Sequence, residues 1–153
     1  MTLNYETLDT LADAYTPLLA LLWLALILHP LLARQWRTAV LRSALGISCL
    51  AVCYGLMFAD RVLALWPAIG LDYSTHSAVA IAFVAILCTL LPRQRLAWIA
   101  SLLAYFLLML YQRYHTVADI LSTAIAVTPP VAYLCVQLAR AGAASRRANS
   151  TAH

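Results

Sequence analysis

The stretch Leu71-Asp72-Tyr73-Ser74-Thr75-His76-Ser77 runs without a break into Ala78-Val79-Ala80-Ile81-Ala82-Phe83-Val84-Ala85-Ile86-Leu87. A short polar island is followed by a run with no charged residue. The same junction recurs at Arg113-Tyr114-His115-Thr116-Val117-Ala118-Asp119, which leads into a second apolar run. A helix that is apolar on every face is either a buried core helix or a membrane span. Composition decides between them. Of 153 residues, 64% are hydrophobic and 10% are charged, against roughly 45–50% and 25% in soluble domains. Mean hydropathy is +0.83. A soluble fold has too little interior for so much apolar surface, so the sequence specifies an all-α integral membrane bundle. The length suits one membrane-embedded domain over 1–153, with no separate soluble domain.

Five apolar stretches are legible, at 15–33, 38–59, 77–91, 96–111 and 117–138. The third is short and is expected to begin inside the 72–76 island. The fifth contains Pro129-Pro130, which is expected to kink or break it, because proline lacks the amide donor. Residues 1–14 carry Glu6, Asp9 and Asp13 and no basic residue, so no cleaved signal peptide is read there. The first span is expected to serve as its own targeting element. Leu8 and Leu11 suggest that this segment lies as an interfacial helix with its acids toward water. Residues 141–153 read as a cytoplasmic tail.

Every basic side chain other than histidine is arginine. Arg34, Arg37, Arg42, Arg93, Arg95, Arg140, Arg146 and Arg147 fall on one side of the expected topology. Only Arg61 and Arg113 fall on the other, together with all six acids. The positive-inside rule then places the N-terminus outside and the C-terminus inside. The pattern suits a bacterial inner membrane with a periplasmic site. The arginines are scattered over loop ends, which argues against a nucleic-acid surface. Cys49, Cys53, Cys88 and Cys135 lie inside apolar runs and read as small packing residues. No disulfide framework and no metal cluster is expected.

The topology brings His76, His115 and Arg61 to one depth at the outer surface. His115 and Asp119 are four residues apart, so a helix starting there presents both on one face. The acid fixes the imidazole tautomer and leaves Nε2 to attack an electrophile. Arg113 offers a planar fork for phosphate oxygens. His76 is placed to act as a general acid. Ser74 and Thr75 precede a helix N-terminus that favours an anion. Tyr73, Tyr111 and Tyr114 read as aromatics of the membrane belt, and Tyr114 also as a neighbour of the bound substrate.

These two islands resemble the second and third signatures of the type 2 phosphatidic acid phosphatase superfamily. The second is usually Pro-Ser-Gly-His and stands here as Tyr73-Ser74-Thr75-His76. The third ends in His-x-x-x-Asp and stands here as His115 to Asp119. The acidic-aromatic lead-in Asp72-Tyr73 is similar to the sphingomyelin synthase and inositol phosphorylceramide synthase branch. The resemblance covers residues 55–126. It implies a phosphohistidine on His115, orientation of that ring by Asp119, proton donation by His76, and no metal or other cofactor. Arg113, Arg61, Ser74, Thr75 and Tyr114 would contact the substrate. The implied activity is hydrolysis of a lipid mono- or diphosphate. Transfer of the phospho-headgroup to a hydroxyl acceptor is the alternative.

The sequence departs from the family in three places. Thr75 replaces glycine. The first signature, a lysine followed by Arg-Pro, is absent; Tyr54 stands at the lysine position and Val62 at the proline. One of the family's six spans is missing, which leaves a place for a second copy or a membrane partner. Two competing expectations stand beside the enzyme: a haem or metal protein with His76 and His115 as ligands, and a non-catalytic subunit that keeps the fold.

Overall fold

A computed structural model describes the chain over residues 5–150, with side chains described over residues 6–142. It is an all-helical bundle of five α-helices: α1 (Tyr5–Leu32), α2 (Trp36–Leu63), α3 (Thr75–Leu90), α4 (Arg95–Tyr111) and α5 (Val117–Ser150). Short 3₁₀ turns at Pro67–Ile69 and Pro92–Gln94 lie in the connections. No strand occurs among the described residues.

Four helical stretches are long and apolar enough to cross a membrane: Glu6–Leu32, Trp36–Leu63, Pro92–Tyr111 and Val117–Gly142. Their outward faces are apolar. Leu21, Leu24, Leu103, Leu107 and Ile125 are each at least half exposed, a surface that water does not tolerate over such an area. The chain is an integral membrane helix bundle in which lipid covers these faces.

The shortest helix is the hub. α3 packs against each of the other four, and Ser77 through Val84 are buried without interruption. That explains its even hydrophobicity, since a helix surrounded on every side has no polar face to keep. Its alanines at 78, 80 and 82 are fully buried. Small residues of this kind let membrane helices approach closely. Ser74 caps the helix by accepting the amide N–H of Ser77 at 3.3 Å, so α3 does begin inside the polar island.

Two residues set the α1–α2 hairpin. A Cβ on Gly46 would stand 2.1 Å from the Trp23 ring, so only glycine admits the indole there. Pro30 has no amide hydrogen to offer the carbonyl of Leu26 four residues earlier. Arg42 Nη1 donates to that carbonyl at 2.5 Å instead.

Three expectations change. Residues 5–14 are not a separate interfacial helix; they continue into the first span as one helix. Contacts with α4 and the turn after it explain this: Ala12 is buried in one cluster with Tyr105 and Met109, Asp9 accepts the Tyr114 hydroxyl, and Tyr15 in the next turn stacks on Tyr105 with centroids 4.3 Å apart. Residues 1–4 of that segment lie outside the described residues. Pro129-Pro130 does not end the fifth helix, which runs on to Ser150, past the expected boundary at residue 138. Val127 and Val131 on either side of the pair are fully buried, so packing holds the helix through it. Residues 141–150 are therefore helical; the side chains of Arg146 and Arg147 lie outside the described ones. Tyr73 is not a belt aromatic. It is buried, packs edge-on to Trp66 at 4.9 Å and donates its hydroxyl to the Cys53 carbonyl at 2.9 Å. Burial raises its phenol pKa, with Cys53 and Asp60 adding to the effect, so the hydroxyl keeps its proton.

Candidate functional site

Successive helices alternate in direction, as the contacts between their ends show. Cys53 of α2 reaches Ala78 of α3, Arg95 of α4 reaches Cys88 of α3, and Trp66 reaches Ser122 of α5. One end of the bundle therefore collects the start of α1, the 64–74 connection, the start of α3, the 112–116 turn and the start of α5.

The 112–116 turn has a defined backbone. Tyr114 N–H donates to Met109 O and Arg113 N–H to Leu110 O, both at 3.1 Å. Together they close α4 as a Schellman motif. Arg113 occupies its left-handed position with φ of +58°, where a residue other than glycine is strained. The turn delivers His115 to the bundle end and passes into α5 through Thr116. There Thr116 Oγ1 accepts the Asp119 amide at 3.2 Å, and Asp119 Oδ2 accepts the Thr116 amide at 2.8 Å. This is the reciprocal arrangement of a capping box.

Asp119 reaches further than its own helix. Its other oxygen, Oδ1, accepts the backbone N–H of Asp72 at 2.8 Å. Thr116 Oγ1 also donates to Oδ2 at 2.7 Å. Beside it, Thr123 Oγ1 accepts the Ser74 N–H at 3.0 Å. The two polar islands are thus joined backbone to side chain along the first turns of α5.

The join creates a cavity of about 150 Å³ lined by Ala12, Asp13, His76, Tyr105, Met109, Tyr114 and His115. Both histidines border it, from α3 and from the α4–α5 turn. Ligand pockets that enclose a whole drug-sized molecule run to about 300–1,000 Å³. This one has room for a headgroup-sized moiety. A haem held between two axial histidines needs more space. Among the described residues, no group of three His, Cys, Asp or Glu side chains could hold a metal ion.

The other expected site residues are placed differently. Asp119 is 7% exposed and its oxygens are taken up by backbone and hydroxyl donors. The carboxylate that faces the His115 ring is that of Asp72, with Oδ2 3.8 Å from Nδ1. Ser74 is fully buried; its hydroxyl donates to Ser77 Oγ at 2.8 Å and accepts the Ser77 amide, so it does not reach a substrate. Thr75 is half-buried and does not line the cavity. Arg113 and Arg61 are exposed and lie off the cavity wall, so the expected arginine fork is not assembled here. Tyr114 lines the cavity and donates its hydroxyl to Asp9 of α1.

Sequence reasoning missed Asp13 and Asp72. Asp9 and Asp13 are four apart and so share a helix face, a signal that was present. Asp72 stood inside the quoted island, but nothing in the sequence aims it at His115. Thr116-x-x-Asp119 also has the spacing of a capping box.

The chain matches no protein-family model, no curated protein and no solved structure. The fold and site define an integral membrane helix bundle with a two-histidine cavity at one end.

Proposed function

We propose that this protein is a lipid phosphatase that acts on a phosphate or diphosphate ester of a membrane lipid, with His115 as nucleophile. The observation that carries the reading is the shared cavity. His76 and His115, brought from two separate segments, border one space of headgroup size at one end of a membrane bundle. The lipid's chains remain in the bilayer along the apolar helix faces, and only the phosphate end enters.

In this reading, Nε2 of His115 attacks the terminal phosphorus and its bond to the leaving oxygen breaks, that oxygen being the lipid's own in a monophosphate and the bridging one in a diphosphate, which departs as lipid monophosphate. His76 gives its proton to that departing oxygen. Water then attacks the phosphohistidine and gives a proton to His76, restoring both histidines and releasing inorganic phosphate. A hydroxyl-bearing acceptor in place of water makes the same site a phosphotransferase. The acid-rich end faces the outer side of the membrane, which is the periplasm if the protein resides in a bacterial inner membrane.

A second reading has its own support. Neither Arg113 nor Arg61 borders the cavity, and Asp13 does. A subunit that keeps the fold without turnover has no need of an arginine there.

The test is phosphate release by the purified full-length protein in detergent, against a panel of lipid monophosphates and diphosphates, beside His115→Ala and His76→Ala. Release that both substitutions abolish supports the phosphatase. Release only when a hydroxyl acceptor is added points to the transferase. No turnover of either kind by folded protein supports the non-catalytic subunit.

A further inference from the structure

We propose that Asp72 is the positioning residue for the His115 imidazole, and that Asp119 acts one step behind it by holding Asp72 in place. The inference rests on the reading of His115 as the nucleophile. The observation is a division of labour between two carboxylates. Asp119 is buried and already engaged: its oxygens accept the Asp72 amide, the Thr116 amide and the Thr116 hydroxyl. It makes no hydrogen bond to His115 and acts on that ring only through its charge. Asp72 is the reverse. Its backbone is fixed by Asp119, while its carboxylate is 74% exposed and has Oδ2 3.8 Å from His115 Nδ1.

A separation of 3.8 Å is an electrostatic contact rather than a hydrogen bond. Catalytic contacts of this kind often tighten as substrate binds. The direction is already set. A carboxylate on the Nδ1 side favours the tautomer with hydrogen on Nδ1, which leaves the Nε2 lone pair for phosphorus. The other ionisable groups around His115 and the cavity are Asp119 of α5, whose charge also acts on the ring, Asp13 and Asp9 of α1, His76 of α3, Tyr105 of α4 and Tyr114 of the turn. Asp9 is engaged by the Tyr114 hydroxyl. Only Asp72 forms an ion pair with His115 among the described residues.

The arrangement separates rigidity from chemistry. Asp119 locks together the two chain segments that carry Asp72 and His115. The exposed Asp72 side chain carries the orienting charge and can be removed without opening a cavity. Asp72→Ala is therefore expected to fold, which makes the test clean.

The experiment is ¹⁵N NMR of histidine-labelled full-length protein in detergent at about pH 8, where an ordinary imidazole is neutral. His115→Ala assigns the resonances, and those of His76 serve as an internal control. The wild-type ring is expected to populate the Nδ1–H form more than a free imidazole does. In Asp72→Ala, the ratio of Nδ1–H to Nε2–H forms at His115 should fall about three- to fivefold, the scale of an exposed ion pair. Asp72→Glu should restore at least half of that change. On a turned-over substrate, kcat should fall by a similar factor with KM held within about twofold. An unchanged His115 tautomer ratio in Asp72→Ala, or an equal fall in Asp72→Glu, overturns the proposal. The NMR result decides it even where no lipid phosphate is hydrolysed, so failure of the phosphatase reading and failure of this one are told apart.

Discussion

The amide of Asp72 donates to the carboxylate of Asp119 at 2.8 Å across 47 residues of chain. This bond is the hinge pin of the site. It joins the segment that leads into α3 to the segment that opens α5, and so brings His76 and His115 to one cavity. Asp119 is 7% exposed, so the acceptor side of the bond is shielded from water.

Asp119→Ala should therefore be costly to the fold itself. It removes the partner of the Asp72 and Thr116 amides, and bonds to a charged group are worth about 1.5–3 kcal/mol each. The expected loss is about 3 kcal/mol, read as a lowered midpoint of unfolding in detergent. A stable variant with lost turnover would instead give Asp119 a purely catalytic role.

Arg113 provides the opposite case. It sits at φ +58° in the turn and off the cavity wall. Arg113→Gly should relieve left-handed strain and raise stability by about 1 kcal/mol. Turnover should stay within about twofold. A large fall in activity would show that the guanidinium swings onto the phosphate.

Ser74→Ala should act on stability rather than on substrate affinity. The hydroxyl caps α3 and is bonded to Ser77. Loss of an N-cap costs about 1 kcal/mol, and the measured KM should not move. A raised KM with unchanged stability would return Ser74 to the substrate.

Much of this bundle was legible in the sequence, and the limit has a physical cause. Hydropathy located all five helices, four of them long enough to span, because the bilayer imposes one polarity over about 20 residues at a time. Serine at the head of an apolar run marked the start of α3. The meeting of His76 and His115 followed from topology and charge asymmetry alone. Hydrogen-bond partners were not legible. Whether Asp119 faces His115 or the Asp72 amide depends on which loop docks beside it, and the i,i+4 spacing is satisfied by both. The continuity of α1 was hidden for a related reason. A row of acids on a helix looks the same whether it faces bulk water or the mouth of a cavity.

A paired substitution tests the packing side. Gly46→Ala places a Cβ against the Trp23 ring, whereas Gly55→Ala meets open space. Overpacking costs about 1–3 kcal/mol, so Gly46→Ala should lower the unfolding midpoint. Gly55→Ala should be neutral or gain up to about 1 kcal/mol from helix propensity. Equal effects at the two positions would contradict the close α1–α2 approach at Trp23.

The central claim is that His115 carries the phosphoryl group. It is tested most directly by quenching the protein during turnover of a ³²P-labelled lipid phosphate and locating the label. The account requires an acid-labile, base-stable phosphoenzyme that is present in the wild type and absent in His115→Ala. Label that persists in His115→Ala, or sustained turnover with no phosphoenzyme at all, would contradict it.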